Sequence, residues 1–400
     1  MKSLKIKIKL NYNQQIIVET LSNEHRLMYN YLLAYLKNNS LDFKKLNDLY
    51  KNIRNQQKLT INSKSAQNTC ISLINSIKSY LSLKKTDKTA KFPYKFKSYK
   101  YFTSFMYDYN NGNGGFKLLD NNLIINLLSS SKSAKKLIIN LPEVCKIISD
   151  KNIRTIIIKK EKPDYYICFT YSTPMDIIEN NDNFLSIDPG LKNIVTGFSN
   201  NGEYIKIKNK TFKSKEKQIE KCQSIMDKKD KGSKNYIKLK KRYNKLTKRL
   251  SDNNKDFQHK VSKSVVDYCI KCNISNIIYG DIQTKELTKS IKANNRLNKS
   301  TQNRGTLSRY KTFLGYKAKN AGIGFYLQNE SYTTITNCIT QELMKHITLD
   351  IREIQLLEDL FIDRDLNGAI NIGIKAKVAW FSQINLEEYL RKLNRIYLNY

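Results

Sequence analysis

The stretch that decides the fold lies at residues 363–371 and has the sequence Asp-Arg-Asp-Leu-Asn-Gly-Ala-Ile-Asn. This pattern is typical of a helix that begins at an acidic residue and has a small, polar first turn, where a carboxylate and the backbone can approach a metal and a phosphate. A second acidic motif lies far upstream, where the predicted strand 184–188 ends at Asp188 and a Pro-Gly turn follows. Asp188 and Asp365 are 177 positions apart (365 minus 188) and together indicate a split, metal-dependent nuclease site.

The predicted elements around these acids follow the order of an RNase H-like fold. Three strands come first, then a long helical insert at 211–272, and then a strand, a helix, a strand and the helix of Asp365. In such a fold the metal site forms where the first strand, a neighbouring strand and the last helix converge. The predicted strands are 184–188, 193–199, 203–208, 276–279 and 323–328, and the helix before the last strand is 304–321, after a polar loop at 282–303.

The N-terminal part of the chain shows a different pattern. Charged and apolar residues alternate over 4–10, which predicts a strand, and short strands are also predicted at 123–127, 137–141, 155–158 and 165–171. Between them, apolar residues have helical spacing over 14–38, 41–54 and 63–83. We therefore expect an N-terminal β-barrel with an inserted helical module, and an α/β, multi-domain chain as a whole.

The composition indicates a polyanionic partner. Lys and Arg total 71 against 35 for Asp and Glu, a net charge of +36, and self-repulsion at this charge opposes folding. Binding through phosphates would be steeply salt-dependent, and the 26 tyrosines offer faces on which bases can stack. A low-GC codon bias, which raises Lys, Asn, Ile and Tyr together, explains part of the excess but not the near absence of acids in the most basic stretches.

The charge of the basic insert at 211–272 has two interpretations, a solvated face or a nucleic-acid contact, and its one-sided sign favours the second. The residues expected to contact nucleic acid are Lys95, Lys97, Lys240, Lys241, Arg242, Lys245 and Arg249.

We expect neither a signal peptide nor a transmembrane helix. Its alternating N-terminus predicts a strand and not a signal peptide, and no apolar run approaches the roughly 20 residues of a transmembrane helix. Seven scattered cysteines favour a reducing compartment, and Cys269 and Cys272 are expected to be two thiols near the end of a helix and not a zinc site. We expect no membrane partner and a cytoplasmic, nucleoid-associated location, or a nuclear one in a eukaryotic host.

These motifs, taken in order, resemble those of the transposon-encoded TnpB (OrfB) proteins, RNA-guided DNA endonucleases related to type V CRISPR effectors and Fanzor proteins. The resemblance covers nearly the whole chain, and although each fragment is weak alone, so many in the right order make coincidence improbable. It implies a RuvC-like nuclease that acts as a monomer with a guide RNA on a double-stranded DNA target. The fragments that carry it are 4–11, 92–97, 187–193, 257–260, 277–281, 314–318, 330–334 and 363–371.

The resemblance implies phosphodiester hydrolysis with two Mg²⁺ ions roughly 4 Å apart. Asp188 would bridge both ions and Asp365 would hold one, because Mg²⁺ prefers oxygen ligands and keeps several waters. The alternatives are a turn-capping Asp188 before Pro-Gly and an N-capping Asp365.

The third acid departs from the family pattern. Many relatives have Glu-Asp at the end of the second motif's strand, with the Glu catalytic, whereas this chain has Gly280-Asp281. Because strand side chains alternate between faces, Asp281 is expected to point away from the side on which a residue-280 side chain would lie. Glu330, just beyond strand 323–328, is the preferred third acid, while Asp281 at a twisted strand end is the alternative, and Glu330 would then be a surface acid.

A second departure concerns zinc. The family normally has a four-cysteine zinc ribbon before the third motif, and the corresponding positions here are near Asn337, Thr340, Leu356 and Asp359. Only Cys338 is present, and one thiol cannot make a tetrahedral site, so zinc is not expected. Either packing of apolar residues holds this degenerate ribbon together, or this copy of the family's sequence has decayed in that segment. The apolar residues are Leu343, Ile347, Ile354 and Leu357.

The resemblance and the patterns together predict a domain organisation. A wedge-like β-barrel domain would comprise 1–12 and 88–178, around a helical recognition module at 13–87. The nuclease domain would be 179–378, with the basic insert at 211–272 and the degenerate ribbon at 331–362, and 379–400 would form a C-terminal tail.

The function with most support is an RNA-guided DNA endonuclease encoded by a mobile element. The alternatives are a nuclease-inactive, RNA-guided DNA-binding protein or repressor, and a decayed transposon relic. A transposase that joins strands is a weaker interpretation of the same carboxylates.

Overall fold

The computed structural model describes most of the chain and divides it into two compact units, residues 1–174 and 175–400. The predicted boundary at 178/179, the polar loop 282–303, and Pro93 and Tyr94 of the 92–97 fragment lie outside the described residues. The described residues are 2–38, 43–92, 95–109, 115–127, 136–143, 152–161, 163–172, 181–210, 212–281, 306–344, 347, 351–396 and 398.

The described part of unit 1 contains three helices that follow the first strand, close to the positions that the apolar spacing predicts. The helices are α1 (Tyr12–Asn38), α2 (Phe43–Gln56) and α3 (Ser63–Thr86). The strands are β1 (Lys2–Ile8), β2 (Phe105–Asp108), β3 (Phe116–Leu119), β4 (Asn122–Asn126), β5 (Lys136–Asn140), β6 (Asn152–Glu161) and β7 (Asp164–Ser172).

These strands form two antiparallel sheets. One has the order β1-β7-β6-β2, in which Lys2 pairs with Tyr171 and Ile8 with Tyr165, and the other has the order β3-β4-β5. Alternate side chains of each strand enter one core that also includes the inner faces of all three helices. The predicted closed barrel is not confirmed, because the described strands belong to separate sheets of four and three strands.

His25 is a fully buried polar residue in the unit 1 core. Its Nδ1 lies 2.7 Å from Thr69 Oγ1, its Nε2 lies 3.0 Å from Ser65 Oγ, and its ring stacks on Phe105 with centroids 5.0 Å apart. Burial, with a smaller contribution from the charge of Lys97, lowers the pKa of His25 to about 3. The ring is therefore neutral in the folded protein at every physiological pH.

This pKa predicts that unit 1 is destabilised by acid. The folded pKa of His25 is below the unfolded value, so the unfolded chain binds the extra proton and stability falls as the pH falls below about 6.5. For a folded pKa of about 3, the loss between pH 7 and pH 5 is about 2 kcal/mol. Because the chain has three histidines, selective ¹⁵N-histidine labelling can follow the ring directly, with His25→Gln to assign its signals. Protonation of His25 near pH 6.5 in the folded protein would contradict the prediction.

Unit 2 is built on a six-stranded mixed sheet. Its strands are β8 (Phe184–Asp188), β9 (Asn193–Ser199), β10 (Glu203–Lys208), β11 (Asn276–Asp281), β12 (Gly324–Asn329) and β15 (Asn394–Ile396). They lie in the order β12-β11-β8-β9-β10-β15. β8, β9 and β10 form an antiparallel meander, β11 is parallel to β8, and β12 is parallel to β11. A separate antiparallel hairpin consists of β13 (Glu353–Leu357) and β14 (Leu360–Asp363).

Helices cover both faces of this sheet. α5 (Lys234–Lys271) and α6 (Thr306–Asn320) lie on one face, and α7 (Arg364–Lys375) and α8 (Leu386–Arg391) lie on the other, whereas α4 (Lys213–Asp227) packs against α5. Leu185 and Ile187 of β8 pack with α5 and α6, whereas Phe184 of the same strand packs with α7. Because strand side chains alternate, Asp188 shares the α7 face with Phe184, so the face of the site follows from strand parity.

The residues expected to form a C-terminal tail, 379–400, are part of unit 2. A short 3-10 helix (Ala379–Ser382) and α8 pack on the aromatic rings of Phe184 and Phe198, and β15 extends the sheet as a parallel neighbour of β10. Tyr389 of α8 donates a hydrogen bond to the Ser199 carbonyl at 3.0 Å. Within the described ranges, no helix has the length and apolarity needed to cross a membrane.

Candidate active site

Asp188 ends β8 on the face that α7 covers, and only 9% of its surface is exposed. The closest approach of α7 is at Gly368, where an added Cβ would lie 2.5 Å from Asp188 Oδ2 and 2.9 Å from Thr334 Cγ2. A glycine is therefore required at this position of the helix, because any side chain would displace the carboxylate or the helix.

Asp365 lies in the first turn of α7. Asp363 caps the helix, with Oδ1 accepting hydrogen bonds from the amides of Asp365 at 3.0 Å and Leu366 at 3.3 Å, and it pairs with Lys206. The side chain of Asn193 donates a hydrogen bond to Asp365 Oδ2 at 2.7 Å. Asp363, and not Asp365, is therefore the N-cap of α7. The Asp365 carboxylate instead accepts a hydrogen bond from Asn193.

Two arginines approach the other oxygen of Asp365. A guanidinium nitrogen of Arg364 lies 3.5 Å from Asp365 Oδ1, and one of Arg352 lies 3.8 Å from it. The Arg352 side chain is 44% exposed, so a cation borders the acidic site on its solvent side.

Glu330 fills the space that a side chain at position 280 would occupy. Gly280 of β11 pairs with Gln328 of β12, and an added Cβ at Gly280 would lie 2.9 Å from Glu330 Oε2 and 2.7 Å from Ile372 Cδ1 of α7. The carboxylate of Glu330 therefore comes from the end of β12 to the α7 face, beside the position where many relatives have their glutamate.

Asp281 lies on the opposite face. Its neighbour Tyr279, which shares its strand parity, packs with α5 and α6, and Asp281 Oδ1 forms an ion pair of 2.6 Å with Lys311 of α6. Alternation along β11 therefore separates Asp281 from the carboxylates on the α7 face, in the direction that the sequence predicts.

Burial and mutual repulsion perturb these acids. Burial and then the carboxylates of Glu330 and Asp365 raise the pKa of Asp188 well above its ordinary value, despite the opposing effect of Arg364. Burial, with a second contribution from Asp281, raises the pKa of Glu330 to about 7. Such a concentration of like charge is unfavourable without a positive partner, and it is the environment in which functional carboxylates are found.

The oxygen atoms of the three acids suit a hard divalent cation, although in the described residues the acids do not surround a common point where an ion would bind. In the part of the chain that the structure describes, no three His, Cys, Asp or Glu side chains form a group that could hold a metal ion. Glu330 Oε2, however, is buried without a hydrogen-bond partner among those residues, as is Asn193 Oδ1. Asp188, Glu330 and Asp365 offer only oxygen atoms, which Mg²⁺ prefers, so the residues fit such an ion in chemistry.

Comparison with known proteins shows which family this chain resembles. A family model named OrfB_IS605 and described as a probable transposase matches residues 167–306, and a model of the Cas12f1-like TNB domain matches residues 308–372. TnpB-like protein L770 of Acanthamoeba polyphaga mimivirus is 29% identical over 252 residues, which cover 59% of this chain and 45% of that protein. The chain is therefore similar to proteins of the TnpB family. TnpB-like protein L79 of the same virus is 30% identical over 226 residues, which cover 53% of the chain and 41% of that relative, so the matches span less than half the length of these proteins.

A solved structure shows the same fold. The cryo-EM structure of a Cas12f1-sgRNA-target DNA complex resembles this chain with a TM-score of 0.66 at 16% identity, over 90% of this chain and 82% of that one. The fold is thus mixed α/β and like that of Cas12f1.

A strongly basic surface of this chain lies on α5. Residues 231–251 include nine Lys or Arg and no Asp or Glu. Its apolar stripe, which includes Leu239 and Leu246, is partly covered, and α4 packs against α5. The five α5 residues expected to contact nucleic acid are all exposed: Lys240, Lys241, Arg242, Lys245 and Arg249.

The two lysines of unit 1 in the same prediction differ from each other. Lys95 is exposed, whereas Lys97 is half-buried with its ammonium 4.0 Å from the ring centroid of Tyr29 and its backbone bonded to Asn30. Burial lowers the pKa of Lys97. The structure therefore gives Lys97 a packing contact, and its contact with nucleic acid stays a prediction.

Sequence reasoning did not identify Asn193 or Gly368 as site residues. Asn193 belongs to the family-like fragment 187–193, five residues after Asp188, and Gly368 lies three residues after Asp365. One helical turn places Gly368 on the same face as Asp365, which is the signal that could have indicated a close approach there.

We expect Gly368→Ala to abolish the function of the acidic site while the protein stays folded. The new Cβ must displace Asp188 or Thr334, and even changes that only disturb the support of metal ligands cost about 10- to 100-fold. The matched control is Gly373→Ala on the same helix, where the new Cβ would meet Phe381 at 2.7 Å instead of an acid. Thermal melting and Mg²⁺-dependent cleavage of both variants would be compared, and equal losses of cleavage would contradict a specific role for Gly368.

Proposed function

We propose that this chain is an RNA-guided, Mg²⁺-dependent DNA endonuclease of the RuvC type, encoded by a mobile element. The single observation that carries the proposal is the position of Glu330. Its carboxylate fills the space beside Gly280 on the α7 face, the face that Asp188 shares. A chain that lacks the usual glutamate of the second motif thus supplies a carboxylate at the same place in space.

The three acids would bind the metal through oxygen atoms alone. Asp188, Glu330 and Asp365 would together hold the Mg²⁺. The bound ions would activate a water and stabilise the leaving oxygen of a phosphodiester. Asn193 would keep the Asp365 carboxylate in one orientation through its 2.7 Å hydrogen bond.

The cations beside the acids would receive the DNA. Arg352 is half-exposed and close to Asp365, so its guanidinium can meet a backbone phosphate as that phosphate enters the site. Lys206, paired with the Asp363 cap, would offset the negative charge on the N-terminal side of α7.

Guide RNA and double-stranded DNA are the proposed partners, and the similar Cas12f1 structure is that of a complex with an sgRNA and a target DNA. The exposed basic stripe of α5 would hold the backbone of a guide–target heteroduplex, because such proteins leave sequence recognition to base pairing. The same proposal includes one protein monomer bound to each guide RNA. It also includes a closed β-barrel in unit 1.

Unit 1 offers a further surface for bases. Tyr99 and Tyr101 are 76% and 74% exposed on either side of Lys100, and they border a cleft of about 170 Å³ that Arg26 and Lys160 also line. Exposed aromatic rings among cations suit base stacking next to a phosphate backbone.

We predict that Asp188→Ala, Asp365→Ala and Glu330→Ala each lower cleavage at least about 100-fold while guide-RNA binding is retained, because they remove metal ligands and no phosphate contact. Asp281→Ala should cleave nearly as well as the parent protein, since it loses only the pair with Lys311. The measurement is cleavage of a matched target by protein purified with its own RNA, whose identity is read by sequencing. Normal cleavage by Glu330→Ala together with loss in Asp281→Ala would reverse the assignment of the third acid.

A rescue variant tests the position of the acid and not only its presence. Adding Gly280→Asp to Glu330→Ala should restore part of the cleavage, because the new Cβ would start 2.9 Å from the vacated carboxylate oxygen. Gly280→Asn in the same background has nearly the same size without the charge and should restore none.

Nucleic-acid affinity should depend on the α5 stripe. Replacing Lys241, Lys245 and Arg249 with Gln should weaken binding of the guide RNA and reduce the slope of log affinity against log salt by about 0.7 to 0.9 for each phosphate that is no longer neutralised. The control replaces three exposed lysines elsewhere, Lys319, Lys377 and Lys392, and so removes the same charge. Equal slopes for the two triple variants, measured by filter binding from low to high salt, would show that the net charge and not the α5 surface binds RNA.

A nuclease-inactive, RNA-guided DNA-binding protein is the second candidate, and one observation favours it. Among the described residues, no three potential ligands enclose a metal ion. Guided binding to a matched target without cleavage at any Mg²⁺ concentration would support this candidate over the endonuclease.

A further inference from the structure

The ribbon segment, residues 331–362, cannot bind zinc as its relatives would. It contains one cysteine, Cys338. The Cys338 thiol is buried in the apolar core beside Ile354 and Leu366, and burial raises its pKa to about 12. A four-cysteine zinc site needs four thiolates, so neither the single cysteine nor its apolar environment fits such a site.

Asn337 lies at the first of the expected cysteine positions and joins the two segments that a shared metal would join. Asn337 is buried, and its side-chain nitrogen donates a hydrogen bond to the Leu356 carbonyl at 2.9 Å. Leu356 is another of the expected cysteine positions. The Asn337 oxygen accepts hydrogen bonds from the amides of Ile339 at 2.9 Å and Thr340 at 3.3 Å. The amide therefore caps the turn after it and joins that turn to the β13–β14 hairpin.

Two asparagines of α7 join the same segment to the helix of Asp365. Asn367 is fully buried, and its oxygen accepts a hydrogen bond from the Cys338 amide at 3.0 Å while its nitrogen donates to the Thr336 carbonyl at 2.7 Å. Asn371 is also buried and donates to the carbonyls of Thr333 at 2.9 Å and Thr336 at 2.6 Å.

The network continues to Glu330. Thr333 Oγ1 donates a hydrogen bond to the Glu330 carbonyl at 2.8 Å, and the Thr333 amide donates to the same oxygen at 3.1 Å. A continuous path of hydrogen bonds thus leads from Glu330 through Thr333 and Asn371 to α7, which begins beside Asp365.

We propose that the amide cluster of Asn337, Asn367 and Asn371 replaces zinc in this chain: it closes the ribbon segment and positions Glu330 relative to Asp365. The closure is independent of any activity, whereas the positioning of the acids rests on the proposed nuclease. Each of the three side-chain amides forms at least two hydrogen bonds with backbone groups. Removing one amide would therefore leave backbone groups in the interior without hydrogen-bond partners.

Hydrogen exchange of the metal-free protein tests the closure. Asn337→Ala should speed exchange in peptides covering 337–344 and 352–362 by about 5- to 100-fold, the range expected when a buried hydrogen bond is lost. Asn337→Asp keeps the oxygen that caps the turn but loses the donor to Leu356, so only the 352–362 peptides should exchange faster. The control is Gln355→Ala, which removes a side-chain bond of 2.9 Å to Glu358 within the same hairpin and should leave 337–344 unchanged.

Two outcomes would overturn the closure. One is the same exchange in Asn337→Ala as in the parent protein. The other is stoichiometric zinc in the purified protein, with faster exchange at 331–362 after a zinc chelator.

The Mg²⁺ requirement tests the positioning. Asn371→Leu keeps the volume of the side chain but removes both bonds to the segment that follows Glu330, so the Mg²⁺ concentration for half-maximal cleavage should rise about tenfold. Excess Mg²⁺ should then restore cleavage, which it would not do for a variant that is merely less folded. An unchanged Mg²⁺ midpoint would refute the positioning role. If the parent protein never cleaves, the proposed function fails, while the exchange result still decides the closure.

Discussion

The packing of α7 against the end of β8 is the constraint on which unit 2 depends. At Gly368 the helix comes so close that an added Cβ would lie 2.5 Å from Asp188 Oδ2. This contact fixes the depth of the helix on the sheet, and with it the location of Asp365 in its first turn. The hairpin before the helix and the 3-10 helix after it pack in the same apolar cluster, so both depend on the same contact.

Bringing carboxylates together in a buried place has a free-energy cost that the surrounding groups reduce. Asp363 takes the capping role and pairs with Lys206, while Arg364 and Arg352 border Asp365. Glu330 Oε2 has no such partner among the described residues. Burial and then the remaining repulsion raise the pKa of Asp188, and a divalent cation would reduce that repulsion.

Strand parity and helical spacing made the elements of unit 2 and the faces of its acidic residues predictable from sequence. The strands β8 to β12 and the helix of Asp365 follow from local apolar patterns, and the opposite orientations of Gly280 and Asp281 follow from alternation alone, whereas the parallel pairings of β11 do not. The close contact at Gly368 and the bond from Asn193 to Asp365 depend on how a helix and a strand meet, which no local pattern specifies. β15 is three residues long, and its place beside β10 is a long-range pairing that leaves no periodic signal. The barrel was inferred from strand order, and strand order does not determine whether a sheet closes.

The two departures from the family pattern have a common physical form. Gly280 lacks a carboxylate that Glu330 supplies from the neighbouring strand, and the ribbon lacks cysteines whose cross-linking contact Asn337 makes with the Leu356 backbone. In each case a side chain other than the expected one lies where the missing group would act. A comparison of aligned positions counts both as losses, whereas the packed structure retains a buried acid and a closed ribbon. Decay of a site would remove such groups independently of one another, so their spatial replacement favours a protein whose acidic site is still maintained.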